Sequence, residues 1–146
     1  MSLARFALCF VLLLPAALLA QGEAGGCKSY EPALLALKGK VIRKTFAGPP
    51  NYSNISKGDK AEVYWLLELD AAICVNEDKA QPDLNPPLKD VKTVQLVFLN
   101  GEAYKMYQPL VGRRVVATGS LFGAHTAHHH TDSLLTVKKI ELSQQK

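Results

Sequence analysis

Apolar and charged residues alternate along Leu34–Phe46: Leu35, Leu37, Gly39 and Val41 fall on one side, Lys38, Lys40 and Lys44 on the other. A period of two predicts a strand with one face inward, and its inward glycine predicts a bend or a close approach. Glu62–Asp70 repeats the pattern, with Val63, Trp65, Leu67 and Leu69 sharing a face, and Val91–Leu99 reads as a third strand. Over Gly101–Leu110 the spacing changes: Ala103, Met106, Tyr107 and Leu110 recur at helical intervals, and Pro109 closes the run. Gly112–Phe122 is a fourth strand, with Gly119 marking curvature. Leu134–Leu142 is a fifth, whose apolar phase shifts after Val137, as a β-bulge requires. Trp65 is expected in the core, and Tyr104 and Tyr107 are expected to pack the helix on the sheet.

The connections carry turn chemistry. Residues 46–60 hold Gly48-Pro49-Pro50-Asn51-Tyr52 and Gly58-Asp59, and residues 76–90 hold Pro82, Pro86 and Pro87 in an irregular crossing. The resulting order, β-β-β-α-β-β, predicts a mainly β protein. Its expected form is a five-stranded Greek-key barrel of OB type with one short helix between strands three and four. An open β-sandwich or roll of the same strands is the alternative.

Ahead of the first strand, Phe6–Ala20 (FALCFVLLLPAALLA) carries no charge and follows a short segment holding Arg5. This run is shorter than the ~20 residues of a spanning helix, and small residues follow it. The pattern is that of a signal peptide over residues 1–20, cleaved after Ala20 or Ala24, ahead of one domain at 27–143. The expected address is exported, periplasmic or secreted, with no transmembrane anchor after processing. Such a leader would take Cys9 with it, leaving Cys27 and Cys74 of the three cysteines. In an oxidising compartment these two are expected to pair. An antiparallel first and second strand would bring Cys27, before the first, close to Cys74, after the second.

Charge narrows the partners. Seventeen basic and thirteen acidic residues give a net +4, far from the dense basic stripe of a nucleic-acid binder, so no nucleic-acid partner is expected. Neither a nucleophile elbow nor a phosphate-cradling glycine loop is present, so the chain does not read as an enzyme. All four histidines fall in one loop, residues 123–132, as His125, His128, His129 and His130, followed by Thr131. In an OB barrel this loop and the 46–60 loop flank the ligand face, so Tyr52 and Asn51 are expected to converge with the histidines at one pole. Three readings stay open: a polar ligand surface, a loop fixed by its own side-chain hydrogen bonds, or a metal site. The metal reading takes Zn, Cu or Ni on His125, His128 and His130, with His129 also in reach. Arg113 and Arg114, with Lys38, Lys40 and Lys44, form a possible basic face for an anionic partner.

The stretch Tyr107–Phe122, with Gly112-Arg113-Arg114, and then His128-His129-His130-Thr131 and Leu134–Val137 resembles an uncharacterised bacterial family. That family is a domain of unknown function marked by Gly-Lys-Arg and His-His-Thr motifs. Gly48–Tyr52 and Gly58-Asp59 are similar to what precedes the domain in exported members. Arginine replaces the family's lysine here, exchanging a compact ammonium for a planar fork. The resemblance implies a bacterial envelope protein and brings no known activity, cofactor or oligomeric state. The reading is a non-enzymatic binding or interaction module for an unknown envelope ligand or protein. A metal-binding protein and a structural accessory domain without ligand are the alternatives.

Overall fold

The computed structural model describes residues 26–144; the leader, its cleavage sites and Cys9 lie outside the described residues. Five strands and one α-helix are arranged as β1 (Leu35–Ala47), β2 (Ala61–Val75), β3 (Leu88–Val97), α1 (Gly101–Tyr107), β4 (Arg114–Gly123) and β5 (Ser133–Leu142). They close into a barrel of order β1-β2-β3-β5-β4. All neighbours are antiparallel except β3 and β5, which pair in parallel through Gln95–Leu134, Leu96–Leu135 and Val97–Thr136. This is the OB arrangement, and closure excludes the open sandwich or roll.

The alternation in the sequence is what fills the interior. Leu37, Val41, Trp65, Leu67, Val94, Leu96, Val115, Leu121 and Leu135 point inward and are buried together, each contributing about 2 kcal/mol by leaving water. Two inward glycines let strands cross closely. A Cβ on Gly39 would lie 2.2 Å from the Glu68 carbonyl oxygen, and one on Gly119 would lie 2.2 Å from that of Thr136. The β5 bulge is present: Thr118 faces Lys139 but Gly119 faces Val137, leaving Lys138 as the extra residue. It returns Ile140 to the core after Val137.

Helix α1 closes one end of the barrel. Its Tyr104 lies 5.6 Å from Trp65 and 4.5 Å from Phe98, ring to ring, while Tyr107 lies 5.7 Å from Phe98. At the opposite side, residues 27–30 run between β2 and β4, with Lys28 bridging to Val75 and Tyr30 to Leu121. The Cys27–Cys74 disulfide fastens this strap, with the two Cα atoms 4.6 Å apart.

Four expectations are corrected. β2 continues five residues past Asp70, so Cys74 lies inside it and not after it. Val63 is 56% exposed, because β3 pairs with β2 only from Leu66 onward and the first residues of β2 run past the barrel. The α-helix stops at Tyr107 and Gln108–Leu110 form a 3-10 turn, since Pro109 has no N–H to continue the helical ladder. Met106 is 67% exposed and so does not join the packed face.

Candidate functional site

Register determines which side chains share the outer wall of β1, β2, β3 and β5. Lys44 pairs with Tyr64, Phe46 with Glu62 and Ile42 with Leu66; Leu66 pairs with Gln95 and Gln95 with Leu134. Paired residues point to the same side of a sheet, so Phe46, Glu62, Tyr64, Leu66, Gln95 and Leu134 all face outward. Such a row of aromatic and aliphatic groups needs a cover. Leu66 and Leu134 are indeed buried, yet they stand apart from the interior cluster.

The cover is the β4–β5 loop. The buried Gln95 side chain grips two of its peptide groups. Its Nε2 donates to the His128 carbonyl at 3.0 Å, and its Oε1 accepts from the His130 N–H at 2.9 Å. Thr131 Oγ1 accepts from the Gln95 backbone N–H at 2.9 Å and donates to the Ser133 carbonyl at 2.7 Å. His130 lies flat on Phe46, ring centroids 4.0 Å apart and planes 6° apart, and 4.6 Å from Tyr64. Its Nε2 is buried and, among the described residues, has no hydrogen-bond partner. Burial holds the His130 imidazole below its usual pKa, with Glu62 opposing that shift.

The β1–β2 loop is built around a carboxylate. Asp59, 5% exposed, accepts from the backbone N–H groups of Asn51, Ser53 and Asn54 at 2.9, 2.8 and 2.8 Å. The Asn51 amide and the Ser53 hydroxyl add bonds at 3.1 and 3.2 Å. The backbone bonds, that of Asn54 foremost, hold the Asp59 carboxyl well below the usual carboxylate range. This cage sets the loop shape in which Tyr52 adopts a left-handed φ of 54°, a conformation unusual for a non-glycine residue. Gly48 is needed for a different reason: its missing Cβ leaves room for the Glu62 side chain, which would otherwise lie 2.5 Å away.

The two loops meet at His128. Tyr52 Oη lies 3.1 Å from His128 Nε2, and Tyr64 Oη lies 2.9 Å from Nδ1. Glu62 Oε2 is 3.2 Å from the same Nδ1 and accepts from Tyr64 Oη at 2.7 Å. Counting protons assigns the tautomer. Tyr64 gives its only hydrogen to Glu62, so both oxygens facing Nδ1 are acceptors and Nδ1 carries the proton. In the neutral ring, Nε2 then accepts from Tyr52. The Tyr64 hydrogen bond lowers the Glu62 pKa; burial first, and Glu62 second, push the Tyr64 phenol well above its usual value. The cluster remains open to water, with the His128 side chain 51% and that of Glu62 27% exposed.

The residues named from the sequence therefore divide. Tyr52 and His128 do come together, across the outer wall of the barrel and not at its pole. Asn51 and Thr131 shape the two loops. His125 and His129 form a separate pair over Phe122: the His125 Nδ1–H donates to the Gly123 carbonyl at 3.0 Å, and the His129 Nδ1 accepts from the His125 backbone N–H at 3.0 Å. The metal set His125, His128 and His130 is thus split between two surfaces. Among the described residues, no group of three or more His, Cys, Asp or Glu side chains is placed to hold a metal ion. Arg113 and Arg114 lie at the far end of β4, roughly 30 Å of strand away, where Arg114 pairs with Asp70. Gly112 turns the chain into β4 with φ 81°. Five residues of the site went unseen in the sequence: Phe46, Asp59, Glu62, Tyr64 and Gln95. The available signal was aromatic side chains on the outward phase of two neighbouring strands, and a glutamine inside an apolar one.

A family model described as a domain of unknown function (DUF4431) matches residues 93–141. This bears out the resemblance to an uncharacterised domain family over its densest stretch. The matched segment runs from within β3 to the end of β5 and contains Gln95, α1 and the whole histidine loop, but not Tyr52, Glu62 or Tyr64. No curated protein and no solved structure matches the chain.

Proposed function

We propose that this chain is an exported envelope protein whose barrel serves as a non-enzymatic binding module. Its ligand surface is the junction of the β1–β2 and β4–β5 loops. The observation that carries the reading is the solvent-open cluster of Tyr52, Glu62, Tyr64 and His128, in which the β1–β2 loop and the start of β2 meet a histidine distant in sequence. With their hydrogens committed inside the cluster, the two phenol oxygens and the carboxylate on this wall offer acceptor lone pairs to the hydroxyls or N–H groups of a hydroxyl-rich or peptide ligand. Both His128 nitrogens are committed to neighbours of the same chain, which suits recognition better than proton transfer to a substrate.

Export is supported by the apolar leader pattern and by the Cys27–Cys74 disulfide, a bond that persists in oxidising compartments. No helix among the described residues is long and apolar enough to cross a membrane. Solution NMR tests the reading. Cell-wall oligosaccharides, short peptides and inorganic phosphate are titrated separately into the labelled protein. Saturable shifts at Tyr52, Tyr64 and His128, lost in a Tyr52→Phe/His128→Ala variant, are expected from at least one class. Shifts confined to the Arg113–Arg114 end of β4, or none at all, would overturn it.

A further inference from the structure

Two imidazoles of the β4–β5 loop, those of His129 and His130, keep their contacts only in the uncharged form, while Gln95 and Thr131 hold the same loop through groups that do not titrate. His129 Nδ1 accepts the His125 N–H at 3.0 Å, so a proton on that nitrogen removes one of the acceptors that close the loop's turn, beside the Thr126 and Asp132 carbonyls. His130 is pressed flat on Phe46 at 4.0 Å with Nε2 buried. A doubly protonated ring there would carry a buried N–H without an acceptor, which a close-packed aromatic stack does not tolerate. His128 behaves differently: with a second proton its Nε2 donates to Tyr52 in place of accepting, and Glu62 stays beside the ring. Within six residues the loop holds four imidazoles.

We propose that the His125–His130 segment is an acid-released lid, which is closed over the outer wall at neutral pH and leaves it when His129 and His130 take up protons. The face uncovered is Phe46, Tyr64, Leu66 and Gln95, an aromatic shelf beside an amide that already grips peptide groups. It would accept an extended segment presenting a planar ring.

The charges around His130 do not cancel the effect. From β1 comes Lys44, its Nζ 5.2 Å from the Phe46 ring centre, and from β2 come Glu62 and Tyr64. On β3, Lys89, Asp90 and Lys92 line a shallow groove with His130 and with Asp132 of the loop. Asp90 is paired with Lys92 at 2.8 Å, and Glu62 is engaged by Tyr64 and His128. His128 adds a like charge on acidification. Burial lowers the pKa of both His129 and His130, and the neighbouring imidazoles act in the same sense. For a base whose pKa is depressed by closure, stabilisation of the closed form is complete above about pH 6.5. It is lost as pH falls through the lowered values.

The test is NMR on the disulfide-intact protein between pH 7.5 and 5.0, with no ligand present, so its failure would leave the binding reading standing. The His130–Phe46 ring contact is expected to disappear on acidification. As pH falls from about 6.5 towards the lowered values, the His130 amide should lose protection by up to about tenfold per unit of pH for each imidazole that titrates, while the Leu67 and Leu135 methyl signals keep their native positions. A His129→Asn/His130→Phe variant keeps an acceptor and a flat ring but cannot titrate, and should stay closed at pH 5.0. Persistence of the wild-type contact at pH 5.0 overturns the lid. So does simultaneous loss of the core methyl signals, or release of the variant at the wild-type midpoint.

Discussion

Gln95 shows how one side chain can place a loop. Its amide bonds both the His128 carbonyl and the His130 N–H, while its backbone N–H is capped by Thr131. Gln95→Leu keeps much of the volume but leaves two loop peptide groups unpaired. We expect a loss of about 2 kcal/mol, the cost of burying such groups unsatisfied, read as a lower urea midpoint with unchanged slope. Amide shifts should concentrate in residues 124–132. The role was legible only in outline. A glutamine in Val91–Leu99 stands out against its neighbours, yet nothing local says whether it faces the core, water or another part of the chain. Asp59 is similar: Gly58-Asp59 reads as a turn, and only the folded loop brings three N–H groups around its carboxylate.

At the scale of elements, periodicity carried most of the information. The inward faces of β1 and β4, the glycine positions and the β5 bulge all follow from period-two alternation and its one phase slip. Gly119 gives the sharpest check. Its Cβ position is 2.2 Å from a backbone oxygen of β5, which cannot swing away as a side chain would. Gly119→Ala is expected to cost about 3 kcal/mol, at the upper end for overpacking, seen as a lower melting temperature. Gly48→Ala meets side-chain atoms of Glu62 and not backbone, so it should cost less, while displacing Glu62 from Tyr64 and His128. Where alternation misled, the cause was context: Val63 has the inward phase but no β3 beside it, and Met106 has helical spacing on a helix too short to bury it.

For the whole molecule, the disulfide joins a strap before β1 to the end of β2, across a sequence separation of 47. Closing a loop of that length stabilises by about 4 kcal/mol in the chain-entropy model. Cys27→Ser/Cys74→Ser should lose most of that in guanidinium unfolding, with spectra that still show a β-barrel. A loss below about 1 kcal/mol would mean that the strap's pairing to Val75 and Leu121 holds without the bond. Closure also explains why strands one and four, far apart in sequence, come to pair through Leu35–Gly119 to Lys40–Arg114: right-handed twist brings the last strand pair round to the first.

Alone, the sequence determined what depends on neighbours a few residues away: strand phase, turn positions, the bulge, and the helix with its proline stop. Hydrophobic burial and backbone geometry act at that range, so their pattern is written locally. Strand order allowed the disulfide and the meeting of Tyr52 with His128 to be expected, as consequences of topology. Only the tertiary structure decided which wall the histidine loop covers. It also separated His125 and His129 from His128 and His130, and it brought Glu62, Tyr64 and Gln95 beneath them. Those contacts span 33 to 66 positions, and no local preference distinguishes a histidine that will stack on Phe46 from one that will face water.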